Sequence, residues 1–343
     1  MNRLCLSSIA KGSISTRITT NFSVRYLSNL SNQIKELRTR TGAGLLDCRK
    51  ALDAKDVNGD IDKAIAWLRA KGHAKAVSLA SRDATEGVVV LCWGKTKKDD
   101  VILFELNSET DFVSRGKDFQ TLAYTIATTL VEKQIKDDKL SVDDILQYTV
   151  HNSKQSVREL LTDSIGSIRE NILIRRVLKL PQAGGIIAGY CHGRVGVDLG
   201  PSNILMGRSL GIVSLDVDNI QSLNDASSNK VEEMGKKLAM HIVASNPLYL
   251  DKTKVPQEFI DKESAIFKEQ TETDSKGKKQ TPETIAKIVA GKINKRLGEV
   301  CLLAQNHVAE ENQPNVSKFL ESFSKSLGHN VTVKSFFKWD LGR

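Results

Sequence analysis

Two runs of eight residues, EGVVVLCW (86–93) and VILFELNS (101–108), consist mostly of β-branched and other apolar side chains. The seven residues between them, GKTKKDD, are polar and turn-forming, so the pair reads as an antiparallel hairpin. A helix is expected from about Lys117 to Glu132, with Phe119, Leu122, Ala123, Ile126 and Leu130 on one stripe. The same order returns downstream. GGIIAGYCH, RVGVDLG and RSLGIVSLDV read as three strands, and a helix from about Lys230 to Ser245 carries Val231, Met234, Leu238 and Ile242. A meander followed by a helix, twice, predicts two related α+β halves sharing one body, with antiparallel sheets and boundaries at 79–182 and 183–343. Between them, residues 133–175 read as mostly polar helix, closing with Ile165 and the run IRENILIRRVLKL.

A small helical domain is expected ahead of this core, over 28–78. Ser31 or Asn32 can cap a first helix bearing Ile34 and Leu37, which stops at the turn TGAG. A second helix, LLDCRKALDAKD, presents Leu45, Cys48 and Leu52. Asp60 caps a third, in which Ile61, Ala64, Ile65 and Leu68 follow the helical period. AKAVSLASRDATEG reads as the linker. Toward the C-terminus, residues 256–297 predict an antiparallel helical hairpin with Pro282 in the first turn of its second helix and a basic tip at Lys276, Lys278 and Lys279. A last helix, NVSKFLESFSKSLG, and a strand, VTVKSFFKW, follow.

The first acidic residue is Glu36, whereas Arg3, Lys11, Arg17 and Arg25 lie among Ser, Thr and small apolar residues. That composition predicts a mitochondrial transit peptide over 1–27. The formal net charge is +9, and removing four positive charges and no negative ones leaves +5. A residual charge of that size suits an acidic protein partner as well as a nucleic acid. Aromatic residues are 5% of the chain and are not interleaved with basic ones, so no base-stacking platform is expected. No run approaches 18 uninterrupted apolar residues, so no membrane span is expected.

No catalytic constellation is visible. The phosphate-loop, zinc-protease, nucleophile-elbow and dinucleotide signatures are absent. The five cysteines lie far apart with no C-x-x-C, which argues against a metal centre or disulfide framework and for a reducing compartment. His241 shares a helix with the Met234 and Leu238 stripe and is expected to be a packed histidine. One loop stands out: VILFELNS runs straight into ETDF, placing the charge of Asp111 beside the ring of Phe112. From the residues alone, Thr110 or Asp111 caps a following helix and Phe112 folds back onto the core.

Three stretches together carry a resemblance: LRTRTGAGLLDCRKALDAKDVNGDIDKAIAWLRAKGHAKA, ELNSETDFVSR, and IGSIRENILIRRV with GYCHGRVGV. They resemble the elongation factor Ts family, the guanine-nucleotide exchange factors of the translational GTPase EF-Tu, over nearly everything after residue 28. The resemblance implies a three-helix, ubiquitin-associated-like (UBA-like) domain docking on EF-Tu through Arg38, Leu45 and Leu46. Leu45 fits equally well in the small core. It further implies that Phe112, in the motif Thr110–Asp111–Phe112, wedges between two helices of EF-Tu, with Asp111 acting beside it near the structure that holds the nucleotide's magnesium. His192 is implied to press beside the wedge, and Ile165 is implied either at the interface or in the core. The transit peptide points to a mitochondrial, matrix-located member whose partner is mitochondrial EF-Tu. No cofactor, no direct nucleotide binding and no enzymatic activity are implied.

Three departures from the bacterial pattern are legible. Cys191 replaces a common glutamine, and Q-N-H-V at 305–308 replaces Q-P-F-V. The resemblance also leads us to expect that FFKWDLGR is not followed by the terminal helical module of bacterial members.

Overall fold

Capping chemistry and tight turns delimit the first helices. In the computed structural model, residues 30–94, 100–133, 135, 139–181, 185–196, 203–274, 281–310, 312 and 314–343 are described. The expected transit peptide and the basic tip at Lys276, Lys278 and Lys279 lie outside them. Helix α1 (30–41) ends at Gly42, whose φ of +67° suits glycine and whose N–H donates to Arg38 O at 2.8 Å. Helix α2 spans Leu45–Leu52. Helix α3 spans Ile61–Leu79, and the Asp60 carboxylate at its start accepts from the N–H groups of Asp62 and Lys63. Leu37, Cys48, Ala51, Leu52, Val57 and Ala64 form their shared core.

The expected linker is helical as far as Leu79, because its alanine-rich first half contains no breaker. Residues 159–171, most of helix α7 (Val157–Ile168), cluster with this first unit. The reason is a crossing of bare backbones: a Cβ on Gly166 would stand 3.4 Å from Gly72 Cα. Ser167 Oγ donates to Gly42 O at 3.1 Å, and Asn171 Nδ2 to Arg82 O at 2.7 Å.

The second unit, 83–158 with 172–343, holds two antiparallel sheets. Strands β1 (Glu86–Trp93) and β2 (Val101–Ser108) form the expected hairpin, Glu86 opposite Ser108 and Trp93 opposite Val101. β3 (Leu173–Leu180) flanks β2, and β5 (Ile204–Gly207) flanks β1. The second sheet has the order β4 (Ile186–His192), β6 (Ser209–Val217), β7 (Val331–Asp340). Val89, Leu91, Val101 and Leu103 of the first sheet share one apolar cluster with Ile187, Cys191, Leu210 and Ile212 of the second. Gly189 permits this face-to-face approach, since a Cβ there would overlap the end of Leu91 and lie 3.2 Å from the Trp93 ring.

Helices cover the outer faces. After the one-turn helix α4 (Asp111–Ser114), α5 (Lys117–Lys133) packs its expected stripe on β1. Short α6 (Val142–Gln147) opens with a Ser141–Asp144 capping box. α8 (Asp225–Ser245) and α11 (Val316–Leu327) bury Val231, Met234, Leu238, Ile242, Val316 and Leu320 against Ala188, Val213, Leu215, Val331 and Val333. All eight β2 residues are buried, as in strands covered on both faces. α9 (Gln257–Asp274) and α10 (Pro282–Val300) make the predicted hairpin. Lys292 Nζ donates to Thr271 Oγ1 at 3.2 Å, and Arg296 Nε lies 3.5 Å from Glu263 Oε1.

Two readings need correction. LIRRVLKL, assigned to the end of a polar helix, is strand β3. Arg175 and Arg176 masked its apolar alternation, and Arg176 is satisfied by the buried Glu105 carboxylate of β2 at 2.7 Å. Of RVGVDLG, assigned to a strand, residues 194–196 hold a single bridge, Val195 to Met206, and 197–200 lie outside the described residues. A strand not anticipated from the sequence, β5, follows it and is too short at four residues to display a period.

Candidate functional site

The loop after β2 is a built structure. Ser108 Oγ donates to Thr110 O at 3.1 Å, and Thr110 Oγ1 accepts the Val113 N–H at 3.4 Å, capping α4. Ser114, buried, returns a bond from its Oγ to Asp111 O at 3.0 Å, and Gly116 N–H closes on Val113 O at 2.8 Å. Asp111 Oδ2 pairs with Arg115 at 3.1 Å. Phe112 sits in the middle of these bonds and does not fold back onto the core: it is 86% exposed. The backbone is anchored while the ring stands in water.

Burying a phenylalanine side chain is worth about 1.5–3 kcal/mol, so this ring is unspent binding surface. A partner closing over it would gain that contribution without first ordering the turn. Arg115 was not anticipated as part of the site, although its i, i+4 spacing from Asp111 on a short helix is a readable signal.

His192 is the last residue of β4 and is exposed. Contacts through Arg208 link this end of β4 to the edge of the first sheet at which β2 ends. Gly207, at the end of β5, packs so closely on β4 that an added Cβ would lie 2.7 Å from His192 O. Arg208 N–H then donates to His192 O at 3.0 Å, and the Arg208 guanidinium pairs at 3.1 Å with Glu86, the residue opposite Ser108 in β2.

The other four candidate residues belong to the first unit. Arg38 is exposed, and Leu45 and Leu46 are 53% and 66% exposed. Leu45 therefore lies outside the small core that Cys48 and Leu52 complete. It borders a groove of about 580 Å³ with Leu30, Ile34 and Arg38, rimmed by Lys35 and Arg49. Ile165 is 7% exposed and is a core residue of the free chain, so it presents almost no accessible surface.

The buried titratable groups point away from chemistry. Burial pushes the Cys92 and Cys191 thiols up to about 12, far from the thiolate range. Among the described residues no group of three or more His, Cys, Asp or Glu could hold a metal ion, and no helix is long and apolar enough to cross a membrane. His241 is fully buried and stacks on buried His307, with ring centroids 5.2 Å apart. Val308 N–H donates to His241 Nδ1 at 3.3 Å, so the proton sits on Nε2 and bonds Gln305 Oε1 at 2.9 Å. Ala309 N–H donates to His307 Nδ1 at 3.2 Å, which leaves the His307 Nε2 proton buried with no partner among the described residues. Burial, then the neighbouring His241, pulls His307 down to about 4.

Comparison with known proteins agrees with the motifs. The family described as "Elongation factor TS" matches residues 109–343, which begins at the Phe112 turn. The chain is 36% identical over 314 residues to "Elongation factor Ts" of Clostridium acetobutylicum, covering 91% of this chain and 92% of that one. It is 38% identical over 311 residues to the protein of the same name from Halothermothrix orenii, covering 90% and 91%. With "Elongation factor Ts" of Paramagnetospirillum magneticum it shares 35% over 310 residues, 90% of each chain. The exposed aromatic turn, its rim histidine and the helical unit thus occur in a chain that belongs to the elongation factor Ts family.

Proposed function

We propose that this chain is a non-catalytic guanine-nucleotide exchange factor that binds mitochondrial EF-Tu in its GDP form and promotes GDP release during translation elongation. One observation carries the reading: Phe112 stands 86% exposed on a turn fixed by Ser108, Thr110 and Ser114. A pre-ordered aromatic anchor is the kind of residue that dominates an interface energetically. Wedged between two helices of the GTPase, it favours a conformation in which phosphate and magnesium contacts are poor. Asp111, held by Arg115 in the free protein, is brought beside the magnesium-binding structure. Arg38, Leu45 and Leu46 supply a second contact on the nucleotide-binding domain, and His192 presses beside the wedge.

No bond is made or broken, so no nucleophile or base is required. Linkage makes the effect reciprocal: the factor by which this chain weakens GDP is the factor by which GDP weakens this chain. GTP therefore displaces it in turn, and the abundance of GTP sets the direction. The acid-poor, arginine-bearing first 27 residues support import into the mitochondrial matrix.

The test is release of a fluorescent GDP analogue from mitochondrial EF-Tu, with residues 28–343 added or withheld. Release should accelerate with the wild-type chain and lose most of that acceleration with Phe112→Ala. Unchanged release with the wild-type chain would refute the exchange function. Equal acceleration by the variant would refute the wedge alone.

A further inference from the structure

The first unit contains another pocket, of about 400 Å³, on the side of α3 that meets α7. Its lining is heavily cationic: Arg40, Arg69, Lys71, Lys75 and Arg169, against the two carboxylates of Asp47 and Asp163. Asp47 is already engaged twice, by Lys71 at 2.8 Å and by Arg169 at 2.7 Å. Asp163 pairs with Arg69 at 3.9 Å, and Arg40 reaches Glu36 and Asp62 at 3.7 and 3.5 Å. Lys75, one helical turn beyond Lys71 and half-buried, forms no ion pair among the described residues. The close crossing of Gly72 and Gly166 keeps that part of the lining free of side chains.

An excess of three formal positive charges gathered around one concavity, partly out of water, is electrostatically unfavourable until an anion enters it. The mixture of planar guanidinium forks and point-charge ammonium groups suits a tetrahedral oxyanion that can accept several bonds at once. A doubly charged group offsets more of the excess than a carboxylate does. We propose that this pocket binds a phosphate group, free or on a small ester, with Lys75, Arg69 and Arg169 as its principal donors. Burial and then the field of Arg169 depress the Lys75 ammonium, and the carboxylate of Asp47 offsets this in part. The inference does not rest on the exchange reading.

The experiment is calorimetric titration of the full chain with inorganic phosphate and with glycerol 3-phosphate, at constant ionic strength set by chloride. Saturable one-to-one binding is expected, weakened about tenfold or more by Lys75→Gln and kept within about twofold by Lys75→Arg. The thermal midpoint of Lys75→Gln should be unchanged or higher, so that lost binding is not lost folding. Tighter glycerol 3-phosphate identifies a small ester as the ligand; equal or weaker binding identifies free phosphate. No saturable binding of either up to about 10 mM, or binding indifferent to Lys75→Gln, overturns the proposal. Lys75-dependent binding of an RNA oligonucleotide with neither small phosphate overturns it as well, in favour of a nucleic-acid surface.

Discussion

Two places in the second unit violate the ordinary sorting of apolar groups inside and polar groups outside, in opposite senses. At the rim, Phe112 is 86% exposed on a turn whose backbone bonds leave it nowhere to fold. In the interior, His307 is fully buried with its Nε2 proton unpaired among the described residues, stacked on His241 and tilted against Phe319. The rim exception costs the free protein little, because one solvated ring is tolerated, and it becomes binding energy when a partner covers it. The interior exception has no such return within the described residues. An unsatisfied buried donor costs about 1–3 kcal/mol. An exposed apolar group held rigidly is therefore the better pointer to function, and a buried polar group left short of partners is the better pointer to a stability liability.

The largest effect should separate the two cleanly. Phe112→Ala is expected to lower exchange activity about thirtyfold, equivalent to about 2 kcal/mol of lost contact, while moving the urea midpoint hardly at all. A variant that unfolded early would show the ring to be part of the core and abolish the contrast.

His307→Phe, which restores the aromatic residue common in the family's Q-P-F-V stretch, should do the reverse. Stability should rise by about 1–3 kcal/mol, with exchange unchanged. The same variant should flatten a pH dependence. Because folding depresses His307 from an ordinary 6.5 to about 4, the unfolded chain binds more protons between those values. Wild-type stability is thus full above about pH 6.5 and falls as the pH is lowered toward 4. Denaturant midpoints at pH 7 and 5 test this. A wild-type midpoint flat with pH would mean that the pair is hydrated or open in solution.

Smaller effects sharpen the rim side. Thr110→Val removes the α4 cap and keeps its bulk. It should cost about 1 kcal/mol of local order and slow exchange severalfold, if pre-ordering of the turn contributes as argued. No change would show the ring to act without its scaffold. Leu46→Ser, on the exposed edge of α2, should weaken association by less, about 0.5–1 kcal/mol, because it trims one side chain from a spread surface. A loss matching that of Phe112→Ala would move the main anchor to the helical unit.

Much of this architecture was legible from local signals. Asp60 announced α3, the paired eight-residue runs announced β1 and β2, and Pro282 announced α10. His241 was readable as packed because it lies beside an apolar stripe. What failed to show depended on contacts distant in sequence. Arg175 and Arg176 made β3 look helical and polar, since nothing in the linear chain reveals that Glu105 waits inside the sheet for Arg176. The grouping of 159–171 with the first unit depends on two glycines 94 positions apart. The site was half legible: an aromatic residue in a loop has the same spelling whether it turns inward or outward. For Phe112 the residues alone pointed inward, and only the family motif pointed outward.

Strand β5 carries a consequence for how the molecule is made. The chain becomes available for folding from its N-terminus, whether at a ribosome or at an import channel, and β1 and β2 are complete by residue 108. Yet the outer neighbour of β1 is not available until Gly207 has followed, about a hundred residues later. During that interval Val89 to Cys92 are paired with β2 on one side, while their other edge, the one β5 will cover, has no native strand, on one of the most apolar stretches of the chain. An open, hydrophobic sheet edge is a template for wrong pairing between nascent molecules. The first sheet should therefore be the segment on which chaperones dwell longest, and slowing the delivery of residues 108 to 207 should raise aggregation more than slowing it after 217.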